Sequence, residues 1–280
     1  HFRPDQTVAD IAQLARPLLG ALPPGHRLIG VGTAIVGIAR RRDGFVHFAP
    51  NLGWRDIPLG EMLAAALDLD QPILVANDAD LGALGEYRRG GRSGTDYLVY
   101  VSGEVGIGCG VIVNGVPLLG SAGYAGEGGH NLINPGGRPC GCGATGCWET
   151  EAGEKALLRR VSTLGDVTGL VALELIEARA QSGDREGLAA LTETGRWLGF
   201  GIRGLVNMFN PELVVLGGLY HRFFDYLEES AVATAHEAIQ ASHQMATITR
   251  SNVGADASLL GASELVLASV IDDPGALASA

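Results

Sequence analysis

Three of the four cysteines of this 280-residue chain fall inside eight residues, Cys140-Gly-Cys142-Gly-Ala-Thr-Gly-Cys147, and His130 stands ten residues before the first. Thiolate and imidazole are the ligands that tetrahedral Zn²⁺ prefers. A set of His130, Cys140, Cys142 and Cys147 would close its coordination shell and leave no open position for catalysis. The expectation is a structural zinc. Gly136, Gly137, Gly141, Gly143 and Gly146 let the backbone between the ligands wrap a small ion. Disulfides are the competing reading, and they fit poorly. Cys140 and Cys142 are too close to bridge comfortably, and pairing would strand one thiol. Cys109, in Gly-Ile-Gly-Cys-Gly, reads as a small buried residue rather than a nucleophile.

Glu127 and Glu149 flank this cluster. Glutamate is usually a solvated surface acid, but both are tied to a loop that a metal would fix. A carboxylate held rigidly can accept paired hydrogen bonds from vicinal hydroxyls. His130 can serve twice, since one ring nitrogen on a metal leaves the other N–H as a donor with its tautomer set. Further back, Asn77-Asp78 follows the apolar run Pro72-Ile-Leu-Val75. Polar groups at the end of a buried strand, opening a helix, are placed to face a ligand. The competing reading is a helix cap for the segment 79–86.

The string Gly-Glu127-x-Gly-His130, followed by Cys-x-Cys-Gly-x-x-Gly-Cys-x-Glu149, resembles the signature of the ROK family of sugar kinases and sugar-responsive repressors. The resemblance runs from about Gly30 to the C-terminus. It implies an α/β protein with the two-lobed, actin-like (ribonuclease H-like) sugar kinase fold. It also implies a monosaccharide, a hexose or amino sugar, bound by Asn77, Asp78, Glu127, His130 and Glu149. In the family's kinases the residue matching Asp78 is the general base, so Asp78 would be catalytic only in a kinase.

The chain departs from the kinase pattern. It has no Asp-x-Gly-x-Thr phosphate loop, and the family's Pro-Gly is replaced around Thr33-Ala-Ile35. In Ser102–Gly110, where the kinases read Gly-Thr-Gly-x-Gly, Val105 holds the Thr position beside Glu104. A carboxylate repels a triphosphate and a valine donates nothing. Gly217-Gly218, matching the family's adenosine wall, is a weak signal alone. Glu149-Thr-Glu-x-Gly-Glu154 resembles the regulators more than the kinases. A sensor needs sugar contacts without phosphate contacts. The expected function is the sugar-binding effector domain of a ROK-type transcriptional repressor. The alternative is an ATP-dependent hexose or amino-sugar kinase, which would use ATP with Mg²⁺.

The rest of the chain must position these residues. Its net charge of −11 argues against this segment neutralising DNA phosphates. Any DNA contact is therefore expected from outside this segment; the resemblance to ROK regulators implies that a winged helix-turn-helix upstream reads operator DNA, and it carries a homodimer or homotetramer with it. No apolar run of about 20 residues marks a membrane span, and no secretory signal opens the chain, so a cytoplasmic protein is expected. An amphipathic helix carries Val8, Ile11, Leu14, Ala15, Leu18 and Leu19 at helical spacing. Strands are expected over 28–35, 45–48, 72–75, 97–101, 111–113, 213–216 and 246–249. Helices are expected over 59–67, 79–86, 154–164, 168–181, 188–209, from about 223, and 259–271, with Asp272–Ala280 frayed. Residues 1–76 are expected to form the remainder of a smaller lobe that has lost its N-terminal strands, joined by helix 258–272. Residues 77–257 are expected to form the larger lobe with the zinc loop 128–149.

Overall fold

A computed structural model describes residues 2–70, 73–237 and 246–272. The start expected for one strand at Pro72 and the fraying expected over 273–280 lie outside the described residues.

Helix α1 (Pro4–Gly20) opens with a proline in its first turn, where a missing N–H costs nothing. Val8 and Ala12 are buried, and Ile11, Ala15 and Leu19 pack beside them. Leu14 and Leu18, expected on the same stripe, are 75% and 74% exposed. They lie one step further round the helix than the face that meets the rest of the fold. Strands β1 (Gly32–Ile35), β2 (Ile38–Arg40), β3 (Phe45–Ala49) and β4 (Trp54–Ile57) follow, then helix α2 (Leu59–Leu67) and strand β5 (Leu74–Asn77). The strand expected from Leu28 starts only at Gly32. β1 pairs in parallel with β5, and β2-β3-β4 form an antiparallel sheet. Ile35, Val46, Trp54, Leu59, Leu63 and Val75 build their core.

Helix α3 (Asp78–Arg89) leads to strands β6 (Tyr97–Gly103), β7 (Ile107–Val113) and β8 (Val116–Pro117), a 3-10 turn at Gly128–His130, and helices α4 (Trp148–Ala152) and α5 (Glu154–Arg160). Helices α6 (Gly169–Gln181) and α7 (Arg185–Phe209), strand β9 (Leu213–Gly218), helices α8 (Leu219–Arg222) and α9 (Phe224–Ala235), strand β10 (Thr247–Arg250) and helix α10 (Ala257–Asp272) complete the order. These strands form one sheet, β10-β9-β6-β7-β8, with β9 parallel to both neighbours and β6-β7 antiparallel. The register sets Gly103 opposite Gly218, so the ends of β6 and β9 meet.

The glycine segment expected as a loop over 102–110 is mostly strand, and only residues 104–106 turn. The reason is packing. A Cβ at Gly108 or Gly110 would strike Ala79 or Ala83 of α3, so these glycines admit a helix rather than a phosphate. α7 buries Leu191, Leu198, Ile202 and Leu205. Gly195 and Gly199 bring it against the Leu227 and Ala231 carbonyls of α9.

The stretch Gly254–Ile271 averages 1.4 in hydropathy over 18 residues, long and apolar enough to cross a membrane by composition, although no such run was expected. It packs on α3, β1 and β5. A Cβ at Gly261 would collide with the Leu81 carbonyl, and one at Gly85 with that of Ala257. α3 and α10 thus cross backbone to backbone. Glu86, fully buried on α3, fixes the segment before α10 by accepting from Ser251 Oγ (2.8 Å) and the Asn252 N–H (2.9 Å).

Candidate functional site

Between the β2-β3-β4 sheet and the β6-β7 turn lies a cavity of about 310 Å³. Asn77, Asp78, Glu127, His130 and Glu149 all line it, together with Glu104 and Cys142. The sequence motifs therefore converge on one space, from the start of α3, the 3-10 turn and the cysteine loop.

Backbone hydrogen bonds and glycine turns shape the cysteine loop. Cys140 and Thr145 approach through a Pro139–Thr145 bridge, with Cys140 N–H donating to the Ala144 carbonyl at 2.8 Å. Gly143 and Gly146 supply φ of 96° and 79°, which side chains resist. The Asn134 amide donates to Glu151 Oε1 at 2.7 Å and pins the loop to α4. As a result the ligand atoms of His130, Cys140, Cys142 and Cys147 all lie within 4.8 Å of one another. Tetrahedral zinc, with arms of about 2.3 Å to sulfur and about 2.0–2.1 Å to nitrogen, needs neighbouring ligand atoms about 3.6–3.8 Å apart. His130 Nδ1 and Cys140 Sγ are 3.6 Å apart, and Cys142 and Cys147 Sγ are 3.7 Å apart. The four residues fit a metal ion in donor type and spacing. No disulfide forms among the four cysteines, and Cys109 is buried, as expected for a packing residue.

The ring of His130 is split between two neighbours. Nδ1 faces the sulfurs, while Nε2 points toward Glu127 Oε2 at 3.7 Å. Glu149 sits in the first turn of α4. Its Oε1 accepts from the Cys140 thiol at 2.9 Å, and its other oxygen lies over Gly106, where a Cβ would strike it. One carboxylate thus joins the cysteine loop to the β6-β7 turn. Burial raises the Glu127 carboxyl above its ordinary pKa, His130 opposes that, and Glu149 adds to it.

Asn77 and Asp78 divide the two readings offered for them. Asn77 is a helix cap: its Oδ1 accepts from the Ala79 and Asp80 N–H groups at 2.9 and 3.2 Å. Its Nδ2 donates to the Gly37 carbonyl at 3.1 Å, which leaves its second N–H for a ligand. Asp78 is not needed as a cap. Burial pushes its carboxyl up to about 7, and the nearby Glu104 carboxylate adds to the rise.

Sequence reasoning missed the facing wall. Val36, Phe48, Pro50 and Asn51 line the cavity from the β1–β4 region, where nothing but ordinary strand and turn residues was legible. Asn51 is the polar member of that group, and its place before Leu-Gly-Trp54 gave no chemical signal.

The ROK family profile matches residues 3–269. Over 268 residues the chain is 33% identical to a putative xylose repressor of Caldicellulosiruptor sp. strain Rt8B.4, covering 91% of this chain and 66% of that protein. It thus spans about two thirds of that relative's length. It is 34% identical over 259 residues to a glucokinase of Halalkalibacterium halodurans, covering 85% and 76%. Among solved structures, it resembles a ROK family glucokinase from Streptomyces griseus in complex with glucose and AMPPNP (TM-score 0.78, 29% identity, covering 91% of this chain and 87% of that one). It also resembles a ROK family transcriptional regulator, a homologue of the E. coli MLC protein (TM-score 0.75, 26% identity, covering 96% and 71%). Repressors and kinases stand side by side among these relatives, both built on the actin-like sugar kinase fold found here. On the strength of the profile and of these identities, the chain belongs to the ROK family.

Proposed function

We propose that this chain is the sugar-binding effector part of a cytoplasmic ROK-type transcriptional regulator, with zinc held structurally by His130, Cys140, Cys142 and Cys147. The observation that carries this reading is Glu104. Its carboxylate lies in the turn between β6 and β7, and a Cβ at Gly218 would meet it. That corner, where the two glycine turns meet, is where a kinase of this family would cradle phosphates. A second acid, Glu154, acts on Glu104 through space, and neither the two side chains nor Val105 offers the cationic or Thr donors that a triphosphate needs.

The cavity beside it keeps what a hexose or amino sugar needs. Asp78, Glu127 and Glu149 can accept from hydroxyls, while His130 Nε2–H and the remaining Asn77 N–H can donate. Bound zinc would fix the loop and the His130 tautomer. Cys140, as a thiolate, would have no proton for Glu149, leaving both carboxylate oxygens to the sugar.

In this reading residues 1–76 with 258–272 form one lobe and 77–257 the other, and the sugar is held between them. A sugar with different affinity for open and closed arrangements shifts their balance. In a homodimer or homotetramer this shift would alter the spacing of operator-reading segments that lie outside this chain, and half-sites about one helical turn apart would register it.

The kinase reading retains one specific support. An Asp78 carboxyl lifted to about 7 is matched to general-base duty near neutral pH, and it would then act with ATP and Mg²⁺.

Calorimetry against a panel of monosaccharides tests the site. Binding should weaken about tenfold or more in Asp78→Ala and in Glu149→Ala, since each leaves hydroxyls unpaired. Binding that ignores both substitutions refutes the assignment. The regulator role is tested with the full-length protein, whose operator affinity must change with the sugar that binds.

A further inference from the structure

A second cavity of about 380 Å³ shares Asn77 with the first but is not lined by Asp78 or Glu149. Its walls carry Arg40, Arg41 and Arg42 at the end of β2, Asp80 of α3, and Ser121 in the segment after β8. Three consecutive arginines are unexpected in a chain with a net charge of −11.

Their partners leave positive charge over. Arg40 is held by Asp43, with Nη2 to Oδ2 at 2.5 Å, and its guanidinium lies over the Phe45 ring. Arg41 reaches Asp80 only at 3.4 Å, although both side chains are largely buried. Arg42 feels Asp43 through space but makes no hydrogen bond or ion pair among the described residues. Three arginines therefore line a space large enough for a small ligand, with Asp80 the one carboxylate on its wall and Asp43 holding Arg40.

Ser121 and the turn at Gly120–Gly123 line the same cavity. His47 of β3 meets Tyr124 edge-on at 5.7 Å on the same seam. A ligand here would touch both the β2-β3 turn and the segment after β8.

We propose that this cavity is an anion site that takes a phosphomonoester or inorganic phosphate. Arginine's planar fork binds phosphate oxygens bidentately. The loosely held Arg41 and the free Arg42 have that capacity to spare, and the Ser121 hydroxyl can donate as well. Asn77 lines both cavities and ties α3 to Gly37. An anion that draws Arg41 from Asp80 acts one turn from the residues facing the first cavity, and any coupling between the ligands must be reciprocal.

The test is calorimetry of the purified chain against inorganic phosphate, a hexose 6-phosphate and the unphosphorylated hexose. At least one phosphate-bearing probe should bind saturably. Arg42→Ala, which removes no internal bond, should weaken it about tenfold. Arg41→Ala should weaken it further, and Arg41→Lys should restore it only in part, because the charge returns without the fork. Thermal melts of the variants confirm that they are folded. Binding of phosphate alone assigns the site to the free ion, and binding of the hexose phosphate alone assigns it to a phosphosugar; either supports the proposal. Failure of both probes to bind, or binding indifferent to Arg41 and Arg42, overturns it. Glu149→Ala separates this from the sugar reading, since it should weaken the hexose heat and leave the phosphate heat intact. A wild-type chain that binds phosphate through these arginines but no hexose refutes the sugar site alone.

Discussion

Asn77 offers the sharpest separation of structural from ligand roles. Its Oδ1 caps α3 through two N–H groups, and its Nδ2 ties the end of β5 to Gly37. Truncation in Asn77→Ala removes the cap, at about 1 kcal/mol and up to about 2, and the Gly37 bond, at about 0.5–1.5 kcal/mol. Together these predict a loss of about 2–3 kcal/mol, or a fall of roughly 4–12 °C in Tm. Asn77→Asp keeps the capping oxygen, and its charge suits a helix N-terminus. It loses the donor to Gly37, so its melt should fall between wild type and Asn77→Ala. Both variants lose the N–H left for a ligand and should bind sugar less well. Paired thermal melts and calorimetry give the answer. An Asn77→Ala protein that melts like wild type would refute the capping argument, and an Asn77→Asp protein less stable than Asn77→Ala would show that the cap is not the dominant contribution.

Other substitutions probe separate links. Gly261→Ala drives a methyl group into the Leu81 carbonyl and should cost about 1–3 kcal/mol in a urea melt; an unchanged midpoint would mean that α3 and α10 do not meet backbone to backbone. Asp78 sets a pH dependence. Between an unfolded pKa near ~4 and a folded one of about 7, the native state keeps a proton that the unfolded chain has lost. Stability should therefore fall as pH rises through that window, and Asp78→Asn should remove this component. A sugar that donates to the ionised carboxylate should bind more weakly as pH drops below about 7, and a pH profile that survives Asp78→Asn would contradict this. Purified protein should carry one zinc per chain, and Cys142→Ser should lose it together with part of the sugar affinity; metal analysis that finds the content undisturbed in Cys142→Ser would refute the ligand set.

The His130–Cys147 cluster was legible because its residues are close in sequence and chemically unusual. Spacing alone brought His130, Cys140, Cys142 and Cys147 together, and the structure holds their ligand atoms within 4.8 Å. α7 was legible for the same local reason, a stripe at 3-4 spacing that ends at Asn210, whose φ of 44° closes the helix. What escaped the sequence depends on distant partners. Leu14 and Leu18 fit a helical stripe, but which part of that stripe is covered depends on where the rest of the fold lies. Gly108 and Gly110 resemble a loop until α3 is laid across them. The wall at Phe48 and Asn51 and the cavity at Arg40–Arg42 are assembled by tertiary contact. The arginine run and the acidic net charge were the only signs of the latter.

A sugar sensor of this kind binds a sugar without phosphorylating it. The most direct test is the time course of ADP formation from ATP and Mg²⁺ in the presence of each sugar that calorimetry shows to bind. A sensor should show saturable sugar binding with ADP formation no faster than in Asp78→Asn. Sugar-dependent ADP release that disappears in Asp78→Asn would contradict this and establish the kinase.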